Sequence, residues 1–251
     1  MDFGLDGKVA LVTGGTRGLG RDIASQLAGQ ACKVMVCGRN EPEALPDNVK
    51  FLAADIRDAD AASQLVEDTV SEYGKLDILV NNAGGSPASD AATASPRFAD
   101  AIMGLNLMAP YYLSRASHPH LKKSDNGSII NIGSVAGIRP APGTAIYGAA
   151  KAGLMSLTQS LAQEWGKDKI RVNAIIVGLA ETESAEATYG DAEAQAAVAD
   201  SLPLGRMCRG EDVAKAVCYL ASPAAEYVSG ARVNVDGGGE KPYFLDLVKG
   251  D

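Results

Sequence analysis

Three side chains that suit proton transfer lie close together in the sequence: Ser134, Tyr147 and Lys151. Tyr147 and Lys151 are four residues apart in an Ala/Leu-rich stretch that predicts a helix ending near Trp165, so both lie on one helix face. Ser134 follows a predicted strand at 128–132, and ligands collect at the carboxyl ends of strands in open α/β sheets. A Pro- and Gly-rich loop lets its hydroxyl approach the phenol.

These groups suit proton transfer coupled to hydride transfer. A phenol has a pKa near 10, and lowering that of Tyr147 to about 7 requires roughly 4 kcal/mol of phenolate stabilisation. We expect the Lys151 ammonium to supply part of it and an oxidised nicotinamide ring to supply more. Ser134 would polarise the substrate oxygen. Taken singly, the three residues also fit structural roles: a half-buried helix residue, a solvated lysine and a turn former.

Composition narrows the class of protein. The 251 residues, 46% of them apolar, can bury the core of one α/β domain spanning 1–251. The net charge of −8 argues against nucleic acid as a partner. The sequence shows no membrane-length apolar run and no secretory signal, so we expect a cytoplasmic protein. Cys32, Cys37, Cys208 and Cys218 lack metal-ligand spacing, so we expect buried, reduced thiols and no metal site.

A glycine-rich turn separates the first predicted strand, 8–13, from a predicted helix at 21–28. Such a turn forms a phosphate cradle, because small residues admit the pyrophosphate and the helix amides favour its charge. The spacing is Gly-x3-Gly-x-Gly, and glycine turns without a ligand are also frequent. The residues predicted to bind a cofactor here are Gly14, Thr16, Arg17, Gly18, Leu19 and Gly20.

The second predicted strand, 33–37, ends in Gly38 and Arg39, where an NAD-specific site usually places an acid. The guanidinium groups of Arg17 and Arg39 suit a 2′-phosphate. A charge-assisted bond of about 1.5–3 kcal/mol is enough to shift cofactor preference tenfold. We therefore predict NADP(H) over NAD(H); the alternative for Arg39 is an exposed loop charge.

Only residues 41–50 separate Arg39 from the third predicted strand, 51–54. That length is too short for a crossover helix with its connections, so we predict a turn or a single helical turn. Asp55 and Ile56 follow the strand and are predicted to bind the adenine end of the cofactor. For Asp55, capping of the next helix, about 59–73, is the alternative.

The fourth predicted strand, 77–80, runs into small residues that permit close backbone approach to a cofactor. The residues predicted to do so are Asn82, Ala83 and Gly84. A long predicted helix at 97–117 carries Asn106, a weak helix former. We expect a water or a local bulge there, near Tyr147.

Together these residues resemble the short-chain dehydrogenase/reductase family over about residues 5–238. The stretch 13–20 is similar to the family's cofactor turn, and 81–84 to its sheet motif. The positions that match the catalytic tetrad are Asn106, Ser134, Tyr147 and Lys151. The resemblance implies an α/β fold, a single doubly wound Rossmann domain with a mostly parallel seven-stranded sheet. It also implies NAD(P)(H)-dependent interconversion of an alcohol and a ketone or aldehyde.

The resemblance also implies roles for these residues. Tyr147 is the acid/base, and Lys151 bonds the nicotinamide ribose. Ser134 orients the substrate, and Asn106 holds a proton-relay water. Gly38-Arg39 is similar to the pattern of NADPH-preferring members.

The segment after the sixth predicted strand, 171–176, departs from the family at Val177-Gly178, where Pro-Gly is usual. We expect this change to loosen the loop that faces the nicotinamide. Gly178 is still predicted to contact the cofactor, and Thr182 matches the residue that bonds the carboxamide.

The Ala-rich, acidic stretch at about 181–204 is interpreted as a substrate lid. Its acids disfavour an acyl-carrier or coenzyme A substrate, although a solvated helix face explains them equally well.

We expect a small-molecule substrate that the sequence does not identify. Candidate pocket walls are Gly85, Ser86, Val135, Ala136, Arg139, Thr144, Leu179 and Tyr189.

The tail from Glu240 carries apolar residues that predict docking on the chain itself or on a neighbouring subunit: Tyr243, Phe244, Leu245, Leu247 and Val248. A face of small residues on the Tyr147 helix (Gly148, Ala149, Ala152) suits subunit packing, so we expect a homo-oligomer, a tetramer or a dimer.

Two alternatives remain open from the sequence. One is an NAD-dependent alcohol dehydrogenase of the same fold. The other is a non-catalytic dinucleotide-binding regulator, which the presence of all four tetrad residues disfavours.

Overall fold

The computed structural model describes residues 2–242 and 244–248, and its framework is a sheet of seven strands that all pair in parallel. The strands are β1 (Val9–Thr13), β2 (Lys33–Gly38), β3 (Val49–Ala53), β4 (Ile78–Asn81), β5 (Gly127–Ser134), β6 (Ile170–Val177) and β7 (Arg232–Val235). Their order is β3-β2-β1-β4-β5-β6-β7. The chain thus winds outward from β1, returns to β4 and winds outward on the other side. This confirms the predicted doubly wound sheet, with its switch point between β1 and β4.

The helices lie on both faces of the sheet. They are α1 (Gly18–Gly29), α2 (Ala59–Tyr73), α3 (Pro96–Met103), α4 (Ala109–Leu121), α5 (Ala145–Trp165), α6 (Ala185–Tyr189), α7 (Ala192–Ser201), α8 (Gly210–Ala221) and α9 (Phe244–Leu247). Helices α1 and α8 bury their apolar sides against one face, and α2, α4 and α5 cover the other. Because parallel strands covered on both faces bury every side chain, β1 is apolar without alternation: Ala10 and Val12 join one core, Val9 and Leu11 the other.

The connection from β2 to β3 confirms the predicted short crossover. Residues 39–48, all of them described, contain no helix, only bends and turns. Strand β3 lies at the edge of the sheet and is less buried than its neighbours; Lys50, for example, is exposed.

Of the two features expected at Asn106, a water or a local bulge, the structure shows the bulge. Helices α3 and α4 are separated by a π-helical segment, Gly104–Met108, that contains Asn106. Pro110 supplies a physical reason: it lacks an N–H, so it cannot donate the α-helical bond to the carbonyl of Asn106, four residues earlier. The interruption therefore lies where the sequence removes one backbone donor.

The exposed apolar tail bears on the docking prediction. Phe244 and Leu247 lie in α9 and are 60% and 66% exposed, and Leu245 and Val248 are also exposed, so these side chains do not dock on their own core. Tyr243 lies outside the described residues. Docking on a neighbouring subunit stays a prediction.

Among the described residues, no helix is long and apolar enough to cross a membrane.

A buried line of polar groups ties helix α5 to the middle of the sheet. Asn81 on β4 donates through Nδ2 to Asn131 Oδ1 on β5 at 2.8 Å. Asn131 Nδ2 in turn donates to Thr158 Oγ1 on α5 at 2.9 Å. All three residues are at most 2% exposed, so each hydrogen bond satisfies a group that water cannot reach.

We predict that Thr158→Val destabilises the protein by about 1–3 kcal/mol, because the substitution keeps the shape of the side chain but leaves a buried Asn131 donor unpaired. The control is Ser160→Ala on the exposed side of the same helix, which should change stability by no more than about 0.5 kcal/mol. Urea unfolding followed by circular dichroism measures both. Equal effects of the two variants would contradict a structural role for this polar line.

Candidate functional site

The glycine turn between β1 and α1 is shaped by close backbone contacts. Gly14 has a φ of +63°, and a Cβ there would lie 3.0 Å from Ala83 Cα. A Cβ on Gly20 would lie 2.2 Å from the carbonyl oxygen of Gly14. Helix α1 begins at Gly18, three residues before the predicted start, so its first amides belong to the turn itself. The geometry fits a phosphate cradle at a helix N-terminus.

The stretch after β4 holds this turn in place. Asn82 donates through Nδ2 to the carbonyl oxygens of Thr13 at 2.9 Å and Gly14 at 3.2 Å. The Thr13 hydroxyl accepts from the amides of Asn82 and Ala83, each at 3.0 Å. The two predicted cofactor motifs are therefore one hydrogen-bonded unit. Leu19 turns its side chain into the neighbouring core.

Arg17 and Arg39 lie at the same mouth of the cradle. A Cβ on Gly38 would be 3.3 Å from Thr16 Cγ2, so the residues that precede the two arginines pack against each other. Both arginines are exposed, and neither has a salt-bridge partner within 4 Å in the part of the chain that the structure describes.

The structure corrects the alternative role of Asp55. The predicted helix start is confirmed, but the cap is Asp58, whose Oδ1 accepts from the amide of Ala61 at 2.8 Å. Asp55 instead accepts from Arg57 Nε at 2.8 Å, and this hydrogen bonding lowers the pKa of Asp55 to about 2. The side chain of Ile56 is buried in the core beside α2. Adenine contacts of Asp55 and Ile56 stay predictions.

The structure brings Ser134 and Tyr147 together. Ser134 ends β5 in an extended conformation, and its hydroxyl accepts from the Ala136 amide at 3.2 Å. Tyr147 lies in the first turn of α5, partly buried. Burial raises the pKa of Tyr147 above its usual value, and hydrogen bonding with the Ser134 hydroxyl opposes that rise.

Lys151 is buried and bonded to the sheet. Its side chain is 3% exposed, and Nζ donates to the carbonyl oxygen of Ile132 at 2.7 Å. Nζ lies 5.7 Å from the centroid of the Tyr147 ring. Burial lowers the pKa of Lys151 to about 8.

These values describe the phenol without a bound nicotinamide, so the expected pKa near 7 with the oxidised cofactor stays a prediction. In the protein alone the pKa of Tyr147 is raised, not lowered towards 7. The reason is that burial disfavours every charged form, and the Lys151 ammonium is held by a backbone carbonyl. A positive charge bound beside the phenol, such as an oxidised nicotinamide ring, would lower this pKa.

Asn106 fastens the π-helical segment to the loop after β4. Its Nδ2 donates to the carbonyl oxygens of Gly85 at 3.0 Å and Ile102 at 2.9 Å, and its Oδ1 accepts from the Gly85 amide at 2.9 Å. The side chain is therefore committed to positioning. Because Pro110 cannot donate to it, the main-chain carbonyl of Asn106 is the group better suited to hold a relay water.

Gly84 lies where two tetrad residues converge. A Cβ at this position would be 2.7 Å from Asn106 Oδ1 and 3.1 Å from Lys151 Nζ. Both contacts are to polar side-chain atoms that are buried and bonded, so they have little room to move. The absence of a side chain at Gly84 is thus a geometric requirement of the site.

The segment after β6 does not show the expected loosening at Val177. Val177 is 5% exposed and pairs with Ser134 on one side and Val235 on the other, as an ordinary strand residue. Gly178 donates its amide to the Val235 carbonyl at 3.1 Å, and a Cβ there would lie 2.7 Å from Asp236 Cα. The strand pairing of Val177 and the hydrogen bond of Gly178 therefore fix the chain here without a proline at position 177.

The predicted lid contains two helices, α6 and α7. Thr182 precedes them, and its Oγ1 accepts from the Ser184 amide at 3.3 Å. Within its described range, α7 buries none of its residues. Tyr189, at the end of α6, accepts from the Ala180 amide through its hydroxyl at 3.2 Å. The segment is thus held mainly at its start, as a lid requires, and the lid role stays a prediction.

A small cavity of about 10 Å³ adjoins Tyr147. Its lining includes the predicted wall residues Ser86 and Thr144. Phe98, from α3, also lines it and was not predicted. The loops that enclose it meet where the Ser89 amide donates to the Gly143 carbonyl at 2.7 Å. No local sequence signal indicates this meeting. Arg139, another predicted wall residue, pairs with Glu240 at 2.6 Å.

The parallel sheet, the glycine turn and the Ser–Tyr–Lys arrangement define a Rossmann-fold oxidoreductase. A family model described as enoyl-(acyl carrier protein) reductase matches residues 14–240. A tropinone reductase homologue of Arabidopsis thaliana is 39% identical over 94% of this chain and 93% of its own. The 2-dehydro-3-deoxy-D-gluconate 5-dehydrogenase of Escherichia coli K12 is 36% identical over 94% and 96%. The solved aldohexose dehydrogenase of Thermoplasma acidophilum matches with a TM-score of 0.89 and 28% identity over 95% and 96%.

The chain belongs to the short-chain dehydrogenase/reductase family. It is an NAD(P)-dependent oxidoreductase that acts on CH–OH groups. The predicted family resemblance is therefore confirmed.

The buried Lys151 makes stability depend on pH. Its pKa is about 8 in the folded protein and about 10.4 when unfolded, so the folded state binds fewer protons between these values and stability rises with pH there. Relative to Lys151→Met, wild type should gain about 2 kcal/mol between pH 7.5 and pH 9.5, by urea unfolding. Taking the difference removes titrations common to both proteins, such as those of the cysteines. A flat difference would contradict the lowered pKa.

Proposed function

We propose that the protein is an NADP(H)-dependent oxidoreductase that interconverts a ketone or aldehyde and an alcohol, with Tyr147 as acid/base. The observation that carries this proposal is the convergence of the tetrad beside the glycine cradle. Lys151 and Asn106 both approach Gly84, Lys151 Nζ lies 5.7 Å from the centroid of the Tyr147 ring, and the Ser134 hydroxyl lowers the pKa of Tyr147. Residues 1–251 would form one catalytic domain whose lid, about 181–204, covers the substrate.

The residues present fit a dinucleotide. Gly14, Gly18 and Gly20 contribute no side chains of their own to the cradle, and the amides of the first turn of α1 are suited to bind a pyrophosphate. Thr16, Ala83 and Gly178 would line the same cleft, with Lys151 on the nicotinamide ribose and Thr182 on the carboxamide. When bound, the nicotinamide gives or accepts a hydride.

In carbonyl reduction, Ser134 orients the substrate oxygen and Tyr147 donates its hydroxyl proton to that oxygen. A raised pKa keeps Tyr147 protonated in the free protein, which is the form that reduction needs. Lys151, with a pKa of about 8, still carries a positive charge at neutral pH. We propose that a water on the main-chain carbonyl of Asn106 returns a proton to Tyr147 after each turnover.

The preference for NADP(H) is supported by the two unpaired arginines. Arg17 and Arg39 lie at one mouth of the cradle, exposed, and the end of β2 carries no acid to bond a ribose 2′-hydroxyl. Two guanidinium groups can bind a 2′-phosphate through charge-assisted hydrogen bonds.

Several features support the remaining proposals. The printed names of the similar dehydrogenases refer to a sugar acid and an aldohexose, which supports a small-molecule substrate. The exposed α9 and the exposed Ala149 and Ala152 support a homo-oligomer, either a tetramer or a dimer. Four free, buried cysteines support a reducing compartment such as the cytoplasm.

We expect Tyr147→Phe to lower kcat for reduction of a test ketone by about 10²–10⁴-fold, because it removes the proton donor. Binding of NADPH, followed by nucleotide fluorescence, should change by no more than about twofold. Tyr111→Phe, on an exposed site of α4, is the matched control and should leave both unchanged. Retention of full activity by Tyr147→Phe would refute the acid/base assignment.

For cofactor choice, Arg39→Gln should weaken NADPH binding about tenfold and leave NADH binding unchanged, because only NADPH carries the 2′-phosphate. Arg17→Gln should act in the same direction. Arg115→Gln, an exposed arginine on α4, provides the control. Tighter binding of NAD than of NADP by wild type would favour the NAD-dependent alternative instead.

A further inference from the structure

A carboxylate from the predicted lid lies in the phosphate cradle. Glu183 Oε1 accepts from the backbone amide of Gly18 at 3.1 Å. The other carboxylate oxygen, Oε2, lies 3.2 Å from where a Cβ of Gly18 would be. The two residues are 165 positions apart in the chain, so the contact exists because the segment after β6 reaches across the cradle.

Glu183 hydrogen bonds to the Gly18 amide, which has no partner within its own helix. Gly18 is the first residue of the 12-residue α1, and the preceding residue, Arg17, makes no side-chain cap. The first amides of a helix lack partners within it, and the helix dipole favours negative charge at this end. The Glu183 carboxylate therefore accepts the same kind of hydrogen bond that a pyrophosphate would accept from this amide.

Two other acids, Asp22 and Glu211, lie near Glu183. The pKa of Asp22 is raised first by burial and then by the charges of Glu183 and Glu211, so the three carboxylates lie close enough to repel one another. Asp22 packs against Gly210 at the start of α8, which fixes one of these charges in place. An additional phosphate charge beside Glu183 would be unfavourable while Glu183 remains.

The same stretch of lid carries Thr182, which is also engaged within the chain. Its Oγ1 accepts from the Ser184 amide at 3.3 Å, next to the Glu183 contact. Two neighbouring residues of the lid thus use internal partners: a backbone amide of the cradle for Glu183, and a backbone amide of the lid for Thr182.

We propose that Glu183 is an internal competitor for the cofactor: its carboxylate occupies the Gly18 amide, and a dinucleotide pyrophosphate must displace it to bind. The inference rests on the proposed function, because it requires the cradle to bind NADP(H). Displacement frees the residues on either side of Glu183, which couples cofactor entry to rearrangement of the lid.

The test is NADPH affinity, measured by nucleotide fluorescence on the intact protein. Glu183→Gln removes the charge and should tighten binding about three- to tenfold, as expected for loss of one anion at a helix N-terminus. Glu183→Ala removes the acceptor as well and should tighten binding at least as much. Glu186→Gln, an exposed acid of α6, is the matched control for net charge and should leave the affinity unchanged.

A second readout needs no cofactor. Hydrogen exchange at the Gly18 amide, followed by NMR, should be faster in Glu183→Ala than in wild type and unchanged in Glu186→Gln. Faster exchange without tighter NADPH binding overturns the proposal, as does weaker binding by Glu183→Gln or an equal gain in Glu186→Gln. If neither wild type nor any variant binds NADPH or NADH, the proposed function fails, and that result is distinct from all of these.

Discussion

The geometry of the site depends on the buried ammonium of Lys151. A charged group that is 3% exposed must have an acceptor, and the acceptor is the backbone carbonyl of Ile132 at 2.7 Å. Because Ile132 belongs to β5 and Lys151 to α5, this bond sets the helix against the strand. Ser134 lies two residues beyond Ile132, and Tyr147 one turn before Lys151. The bond therefore brings the hydroxyl and the phenol together, and Gly84 leaves the space that the ammonium needs.

One short stretch after β4 joins the two halves of the site. Asn82 holds the glycine turn by bonding the carbonyls of Thr13 and Gly14, and Gly85 is bonded through both its amide and its carbonyl to Asn106. The cradle and the π-helical segment that holds Asn106 thus share a single backbone support at the switch point of the sheet. This sharing explains why small residues are required there: both neighbours approach the same main chain within contact distance.

The parts of the site that the sequence predicts are those governed by local spacing. The glycine turn, the four-residue step from Tyr147 to Lys151 and the weak helix former Asn106 each indicate their structure without knowledge of distant partners. The capping role considered for Asp55 was wrong, because the nearby Asp58 takes it, and in the protein alone burial raises the pKa of Tyr147 above its usual value. The contact of Glu183 spans 165 positions, and no local pattern indicates it.

The Val177-Gly178 departure leaves the chain that leads into the predicted lid firmly bonded. Val177 continues the pairing of β6, and main-chain bonds join Leu179 and Glu181 to Cys208 at 2.8 Å and 2.9 Å. The chain is therefore bonded as far as Glu181, first within the sheet and then to Cys208 just before α8, without the proline that the family usually has. Thr182 and Glu183 follow that point, and their hydrogen-bond partners lie in the predicted lid and in the cradle, not in the strands of the sheet.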